Sequence, residues 1–129
     1  MLTDNDITRI TRRIVQNTRP LAVGTFGSYA IGTAHEGSDL DLFVIRATSE
    51  AREARARAVR RLLFGVLNPL DVHVFTPTEF EEAVYEVQSF PWVIARQARM
   101  YFWTEEAARA VPSLVPRAST ANDWNDANV

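Results

Sequence analysis

Residues 24–46 read GTFGSYAIGTAHEGSDLDLFVIR, and the pattern of this stretch is the most informative in the chain about its fold class. The turn Gly27-Ser28 follows an apolar segment, and ten residues later Asp39-Leu40-Asp41 begins a second apolar segment. Side chains of a β-strand alternate between its two faces, so Asp39 and Asp41 share one face of a predicted strand. Two carboxylates on one face repel each other. A divalent cation such as Mg²⁺, which prefers oxygen ligands, is the simplest reason for both.

The glycines of this stretch match neither of two common phosphate-binding patterns. Gly24, Gly27 and Gly32 do not have the spacing of G-x-G-x-x-G or of G-x-x-x-x-G-K-[ST], and the chain contains no lysine. The stretch instead predicts a strand, a Gly-Ser turn and a short helix at about residues 29–34. Backbone N–H groups at such a turn, together with the Ser28 hydroxyl, can hold a phosphate. A Gly-Ser pair alone usually marks a plain turn, so the D-x-D at this spacing makes it informative.

The pattern G-S, ten residues and D-x-D resembles the motif of the nucleotidyltransferase superfamily with a catalytic domain of the DNA polymerase β type. The resemblance runs from Gly27-Ser28 to Asp39-Leu40-Asp41 in its motif, and it covers roughly residues 5 to 103 of the chain. The chain looks most like the minimal, stand-alone prokaryotic members, which partner a HEPN-domain protein. The resemblance implies one more carboxylate on a later strand.

Asp71 is in the right place to be that carboxylate. The segment at residues 70–75 reads LDVHVF and alternates, so that Asp71 and His73 share one face with Phe75 while the aliphatic side chains share the other. A single aspartate at the start of a strand is usually solvated or caps a turn. Together with the first two carboxylates, however, it predicts a third member of one site. His73, like His35, is expected to be structural or exposed.

The resemblance also implies a role for each site residue. Asp39 and Asp41 would bind two Mg²⁺ ions, and Asp71 would bind the catalytic ion and accept the proton of the acceptor hydroxyl. The turn Gly27-Ser28 would hold the β and γ phosphates, and Ser38 completes the predicted nucleotide-binding set. The reaction would move a nucleoside monophosphate, AMP from ATP, to that hydroxyl through in-line displacement of pyrophosphate.

The acceptor implied by the resemblance is a tyrosine of a HEPN-type toxin. The chain would then be a protein adenylyltransferase that acts as an antitoxin by AMPylation, in a hetero-oligomer or a homodimer. The alternative is a binding module that neutralises or scaffolds a partner by contact. Ile31 favours this alternative, because minimal members often have arginine there, whereas the intact carboxylates oppose it. Transfer to a small molecule such as an aminoglycoside would need a second domain to form the acceptor pocket.

Composition narrows the class of protein further. The chain has 129 residues, which suggests one domain, and its net charge of -2 gives no indication of nucleic-acid binding. The absence of cysteine excludes disulfides and cysteine-ligated zinc. No apolar stretch is long enough to span a membrane, and no signal peptide is recognisable, so we expect a cytoplasmic protein.

The rest of the chain predicts an α/β (α+β) fold, in which helices pack on a small mixed sheet of three or more strands. The strands are expected at residues 21–24, 40–45 and 70–75, and the helices at about 3–18, 50–65, from 77, and 90–103. A capping box at Thr76 and Glu79 marks the start of the third of these helices, which should direct Val87 inward. The domain is expected to occupy residues 1–103, and residues 104–129 a mobile tail.

A run of arginines in the second predicted helix is most simply a solvated face. The run consists of Arg52, Arg55, Arg57, Arg60 and Arg61. Its alternative interpretation is a docking surface for an acidic partner or RNA.

Overall fold

A mixed four-stranded sheet forms the centre of the protein. The computed structural model describes residues 1–115. Its elements, in chain order, are α1 (Asp4–Thr18), β1 (Ala22–Phe26), α2 (Ser28–Ile31), β2 (Leu40–Ile45), α3 (Arg52–Leu62), β3 (Leu70–Phe75), α4 (Pro77–Ala83), α5 (Phe90–Gln97), β4 (Arg99–Trp103) and α6 (Glu105–Ala110). The strand order is β3-β2-β1-β4. Strand β1 is antiparallel to β2 and β4, whereas β2 and β3 are parallel. The predicted fold class is confirmed.

Helices α1 and α3 cover one face of the sheet. Thr3 caps α1 in a capping box with Asp6, and the helix buries Ile7, Ile10 and Ile14 at the three- to four-residue spacing of one helical face. These side chains pack with those of all four strands that point to the same side, and with residues of α3 and its C-cap Leu63. The buried members from the strands, α3 and its C-cap are Val23, Leu40, Leu42, Val44, Val59, Leu63, Val72, Val74, Tyr101 and Phe102.

Helices α4, α5 and α6 cover the other face. The predicted capping box of α4 is confirmed, because Thr76 and Glu79 exchange side-chain and backbone hydrogen bonds. The second core on this face contains buried side chains of all three helices and of three strands. They are Ala22, Phe26, Phe43, Ile45, Phe75, Phe80, Val84, Ile94, Ala107, Val111, Leu114 and Val115. Asp41 and Asp71 belong to this face, because they alternate with residues of the first core.

The prediction of one helix over residues 90–103 is wrong, because α5 ends at Gln97 and the chain continues as β4. Strand β4 pairs with β1 and contains a register shift opposite Val23 and Gly24. Tyr101 and Phe102 pack in the first core, whereas Met100 and Trp103 pack against the second. Aromatic side chains in this segment therefore serve both faces of the sheet. A strand can do this, but one stripe of a helix cannot.

Two smaller expectations also fail. Val87 is 72% exposed, because α4 ends at Ala83 and the turn that follows carries Val87 to the surface. Arg55 is only 7% exposed, so it does not belong to the solvated face of α3. Its Nη1 lies 2.6 Å from Glu79 Oε1, and its Nε donates to the carbonyl oxygen of Glu50. The hydrogen bond between Arg55 and Glu79 lowers the pKa of Glu79 and connects α3 to the first turn of α4.

The packed chain continues beyond Trp103. Helix α6 buries Ala107, and Val111, Leu114 and Val115 follow it into the second core. The predicted domain boundary at residue 103 therefore lies within the packed part of the chain. Pro112 does not end the packing, because it sits in the turn after α6 while the apolar side chains around it are buried. Residues 116–129 of the predicted tail lie outside the described residues. Among residues 1–115, no helix is long and apolar enough to cross a membrane.

Candidate active site

Two of the three predicted carboxylates are neighbours across the parallel strands β2 and β3. Asp41 is the register partner of Asp71, and each is the second residue of its strand. The two side chains lie on the α4–α6 face, because they alternate with Leu40, Leu42 and Val72 of the other core. Asp39 precedes β2 and is exposed. The site therefore lies at the end of the sheet where β2 and β3 begin.

The surroundings of Asp41 disfavour the ionised form of its carboxyl group. The pKa of Asp41 is raised to about 6, first by burial and then by the negative charges of Asp71 and Asp39, while His73 acts in the opposite direction. The charges of the other two predicted carboxylates therefore act on Asp41. Such mutual repulsion is typical of residues that serve a function rather than the stability of the fold.

The predicted Gly-Ser turn lies against these carboxylates. Gly27 has a φ of 71°, a conformation that side-chain-bearing residues rarely adopt, and a Cβ built on it would overlap Asp41 Oδ2. Only glycine fits this position. Ser28 begins α2 directly after it, and the N–H groups of Ala30 and Ile31 donate to the Gly27 carbonyl oxygen.

Gln97 contacts the same turn, and sequence reasoning did not predict this contact. The Gly27 N–H donates to Gln97 Oε1 over 3.0 Å. The contact follows from the β1–β4 register, since Thr25 pairs with Arg99 and two further steps outward bring Gly27 opposite Gln97. A helix over residues 90–103 would have no such relation to β1, so the wrong prediction for β4 concealed this residue.

Sequence reasoning predicted that His73 shares the face of Asp71, but it did not predict the contact between the two side chains. Its Nε2 lies 3.0 Å from Asp71 Oδ2, and its side chain is 19% exposed. The imidazole packs among aromatic rings, with ring-centroid distances of 4.1 Å to Phe90 and 5.6 Å to Phe26. His73 therefore fixes one carboxylate oxygen of Asp71 from a largely apolar pocket.

Comparison with known families agrees with this arrangement of a glycine turn and strand carboxylates. The family described as "Nucleotidyltransferase domain" matches residues 7–120. The chain belongs to the nucleotidyltransferase family. Among curated proteins, none matches the chain by sequence.

Solved structures resemble this nucleotidyltransferase in fold. A crystal structure of a toxin–antitoxin with AMP-PNP has 20% identity and a TM-score of 0.55, and the match covers 82% of each chain. A crystal structure of a mutant of the toxin–antitoxin MntA–HpeT has 21% identity and a TM-score of 0.55, with 88% of this chain and 84% of that chain covered. At these identities the likeness describes the fold.

The remaining predicted residues of the nucleotidyltransferase lie in the segments around the carboxylates. Ser38 is buried, and its hydroxyl accepts the His35 N–H while its carbonyl oxygen accepts from Asn68 Nδ2. These bonds close the loop before Asp39. Its contact with a nucleotide stays a prediction. Ile31 is 54% exposed at the end of α2.

The carboxylate oxygens of this site suit a cation that prefers oxygen ligands. Among residues 1–115, no group of three or more His, Cys, Asp and Glu side chains is arranged to hold a metal ion by itself. Mg²⁺ does not require such a cage, because it is usually held by one or two carboxylates together with substrate phosphates and water. The repulsion that raises the pKa of Asp41 is the interaction that a cation would relieve. Asp41 and Asp71, with Asp39 beside them, therefore fit Mg²⁺.

Proposed function

We propose that this nucleotidyltransferase moves AMP from ATP to a hydroxyl group of a partner protein, and that the partner is a toxin which the modification silences. The observation that carries the proposal is the contact between Gly27 and Asp41, beside the register pair Asp41–Asp71. This contact supports one site in which the turn would hold phosphate beside the paired carboxylates. Transfer of a nucleotidyl group needs both, because the triphosphate must be held while an acceptor oxygen approaches.

Each side chain has a separate task in this proposal. Asp39 and Asp41 would hold Mg²⁺, which when bound offsets the charge of the triphosphate and favours ionisation of the acceptor hydroxyl. The Gly27-Ser28 turn would hold the phosphates beyond the reacting one. Asp71 would accept the proton of the acceptor hydroxyl. The oxygen of that hydroxyl would form a bond to the α-phosphorus while the bond between the α-phosphorus and pyrophosphate breaks. His73 keeps Asp71 in place through the oxygen that it contacts.

Two properties of the similar structures support a protein acceptor. Both are described as toxin–antitoxin structures, and one contains AMP-PNP, which is an analogue of ATP. The alignments cover more than four fifths of both chains, so this chain has about the same extent as those proteins. We propose that the acceptor is a tyrosine of a HEPN-type toxin, which the sequence resemblance implies.

One observation favours a different function. Ile31 is exposed at the end of the turn helix α2, where minimal family members often have arginine. An apolar side chain there offers no charge to the triphosphate and could instead contact a partner. The second candidate is therefore a module that neutralises its partner by binding alone. Retention of Asp39, Asp41 and Asp71 is unexplained in this case.

The position of the label in ATP separates these functions. The purified protein is incubated with Mg²⁺ and an extract of the source organism, using ATP labelled at either the α- or the γ-phosphorus. Nucleotidyl transfer predicts a labelled protein band with α-label only. A band labelled only by ATP that carries the label at its γ-phosphorus would indicate phosphoryl transfer and contradict the proposal. A partner that copurifies with the protein but is labelled by neither form of ATP would favour the binding module.

A further inference from the structure

Gln97 occupies the junction between two elements that meet at the candidate site. It is the last residue of α5, Ala98 follows with an extended ψ of 134°, and β4 begins at Arg99. Its side chain reaches from this junction to the Gly27 N–H, and its Oε1 accepts that hydrogen bond over 3.0 Å. Residues 70 positions apart in sequence are thereby joined at the turn.

Within the turn itself, the N–H groups of Ala30 and Ile31 donate to the Gly27 carbonyl oxygen. Gly27 precedes α2 without a side-chain cap, and α2 has only four residues. A glycine backbone is more mobile than that of any other residue, so its conformation must be fixed from outside. Two contacts do so: Asp41 lies against the Cα of Gly27, and Gln97 accepts from its N–H. The first contact excludes side chains, whereas the second sets the orientation of the peptide plane.

We propose that Gln97 is a positioning residue for the nucleotide: it orients the Gly27 peptide so that the turn is preformed for the triphosphate. This inference rests on the proposed function, since it needs ATP to bind at the turn. Because Gln97 already uses the Gly27 N–H, Gly27 contributes through its shape, and Ser28 supplies the donors to phosphate. Hydrogen-bond donors that already have the right orientation bind the triphosphate more tightly, because less conformational entropy is lost on binding.

The matched substitution is Gln97→Met, which keeps the size of the side chain and removes the acceptor oxygen. Gln16→Met serves as the control, because Gln16 is exposed on α1 at the opposite face of the sheet. Gln97→Glu keeps an acceptor oxygen at the same reach. The experiment measures amide exchange of Gly27 by NMR, the affinity of each protein for AMP-PNP with Mg²⁺ by calorimetry, and KM and kcat for ATP in label transfer.

Gln97→Met is expected to accelerate Gly27 amide exchange about tenfold, to weaken AMP-PNP binding about fivefold to tenfold, and to raise the KM for ATP similarly while kcat changes less than twofold. Gln97→Glu should keep the amide protected, and Gln16→Met should behave as wild type. A role in the fold alone would lower the melting temperature of Gln97→Met without changing its AMP-PNP affinity, and that result would overturn the inference. If the wild-type protein itself binds no AMP-PNP, the proposed function fails first and the positioning role fails with it.

Discussion

Gly27 packs against the carboxylate of Asp41 so closely that no side chain fits between them. The turn comes from the end of β1 and the carboxylate from the start of β2, and the antiparallel pairing of Phe26 with Asp41 brings them together. The Gly-Ser motif and the D-x-D motif therefore contact each other directly. This contact explains why the first glycine of the motif must be glycine.

Gly27→Ala should abolish activity and destabilise the fold. The new Cβ would overlap Asp41 Oδ2, and the positive φ adds strain, so we expect a loss of about 2–4 kcal/mol in the free energy of unfolding. Label transfer should fall at least about 100-fold. The control is Gly65→Ala, which has a φ of 98° with nothing within 4 Å of its Cβ. It should lose only about 1 kcal/mol and keep its transfer rate. Equal effects of the two substitutions in urea unfolding and in transfer would show that the contact with Asp41 is unimportant.

Asp41→Asn should stabilise the protein at neutral pH while removing activity. The folded-state pKa of Asp41 is raised to about 6 from the model-peptide value of 3.8, so the folded state binds more protons than the unfolded state between these values. Stability contributed by this group therefore falls as pH rises through that window. Asp41 is only partly buried, and screening by water leaves a gain on the order of 1 kcal/mol for the asparagine at pH 7.5.

The measurement for this substitution is thermal unfolding without added metal at pH 7.5 and at about pH 3, below both pKa values of the group. The gain should be present at the higher pH and nearly absent at the lower, where the aspartate is largely protonated in both states. A gain that is independent of pH would have another cause than charge repulsion.

Arg55→Ala should destabilise the protein far more than Arg57→Ala, although both residues belong to α3. Arg55 is buried and paired with Glu79, whose carboxylate would be left without its partner, so we expect a loss of about 2–4 kcal/mol in unfolding free energy. Arg57 is exposed, and its removal should change stability by less than about 0.5 kcal/mol. Urea unfolding of both variants distinguishes this arrangement from a uniformly solvated arginine face, for which the two losses would be similar.

His73→Phe should lower activity with little change in stability. A phenylalanine can occupy the pocket beside Phe26 and Phe90, but it offers no hydrogen bond to Asp71. Transfer should fall about tenfold in kcat, while the melting temperature stays within about 3 °C of wild type. The control His35→Phe changes an exposed histidine outside this pocket and should leave kcat unaltered. Full activity in His73→Phe would mean that Asp71 needs no such contact.

The parts of the fold that sequence reasoning predicted correctly depend on local patterns. The predicted limits of β2 and β3 are those observed. Strict alternation defines β3, and a short apolar run after the aspartates defines β2. The capping box at Thr76 and Glu79 is local in the same way. The carboxylates could also be proposed from spacing, because a D-x-D at a strand start places both side chains on one face whatever the strand pairs with.

The parts that sequence reasoning did not predict depend on distant partners. The segment at residues 99–103 becomes a strand because β1 offers it an unpaired edge, and its own pattern fits a helix as well. Without β4, Gln97 has no relation to Gly27. Arg55 differs from its exposed neighbours only through Glu79, which lies 24 residues further along the chain. Such long-range contacts leave no periodic signal in one sequence.

The most direct test of the central claim is transfer of α-label from ATP to a protein acceptor by wild type, Asp41→Asn and Asp71→Asn, with Glu106→Gln as a control for the loss of an exposed carboxylate on α6. All four proteins are first shown to be folded by circular dichroism. We expect a labelled band with wild type and Glu106→Gln, and a loss of at least about 100-fold in both asparagine variants. Label that persists undiminished in Asp41→Asn and Asp71→Asn would show that the paired carboxylates do not carry the transfer.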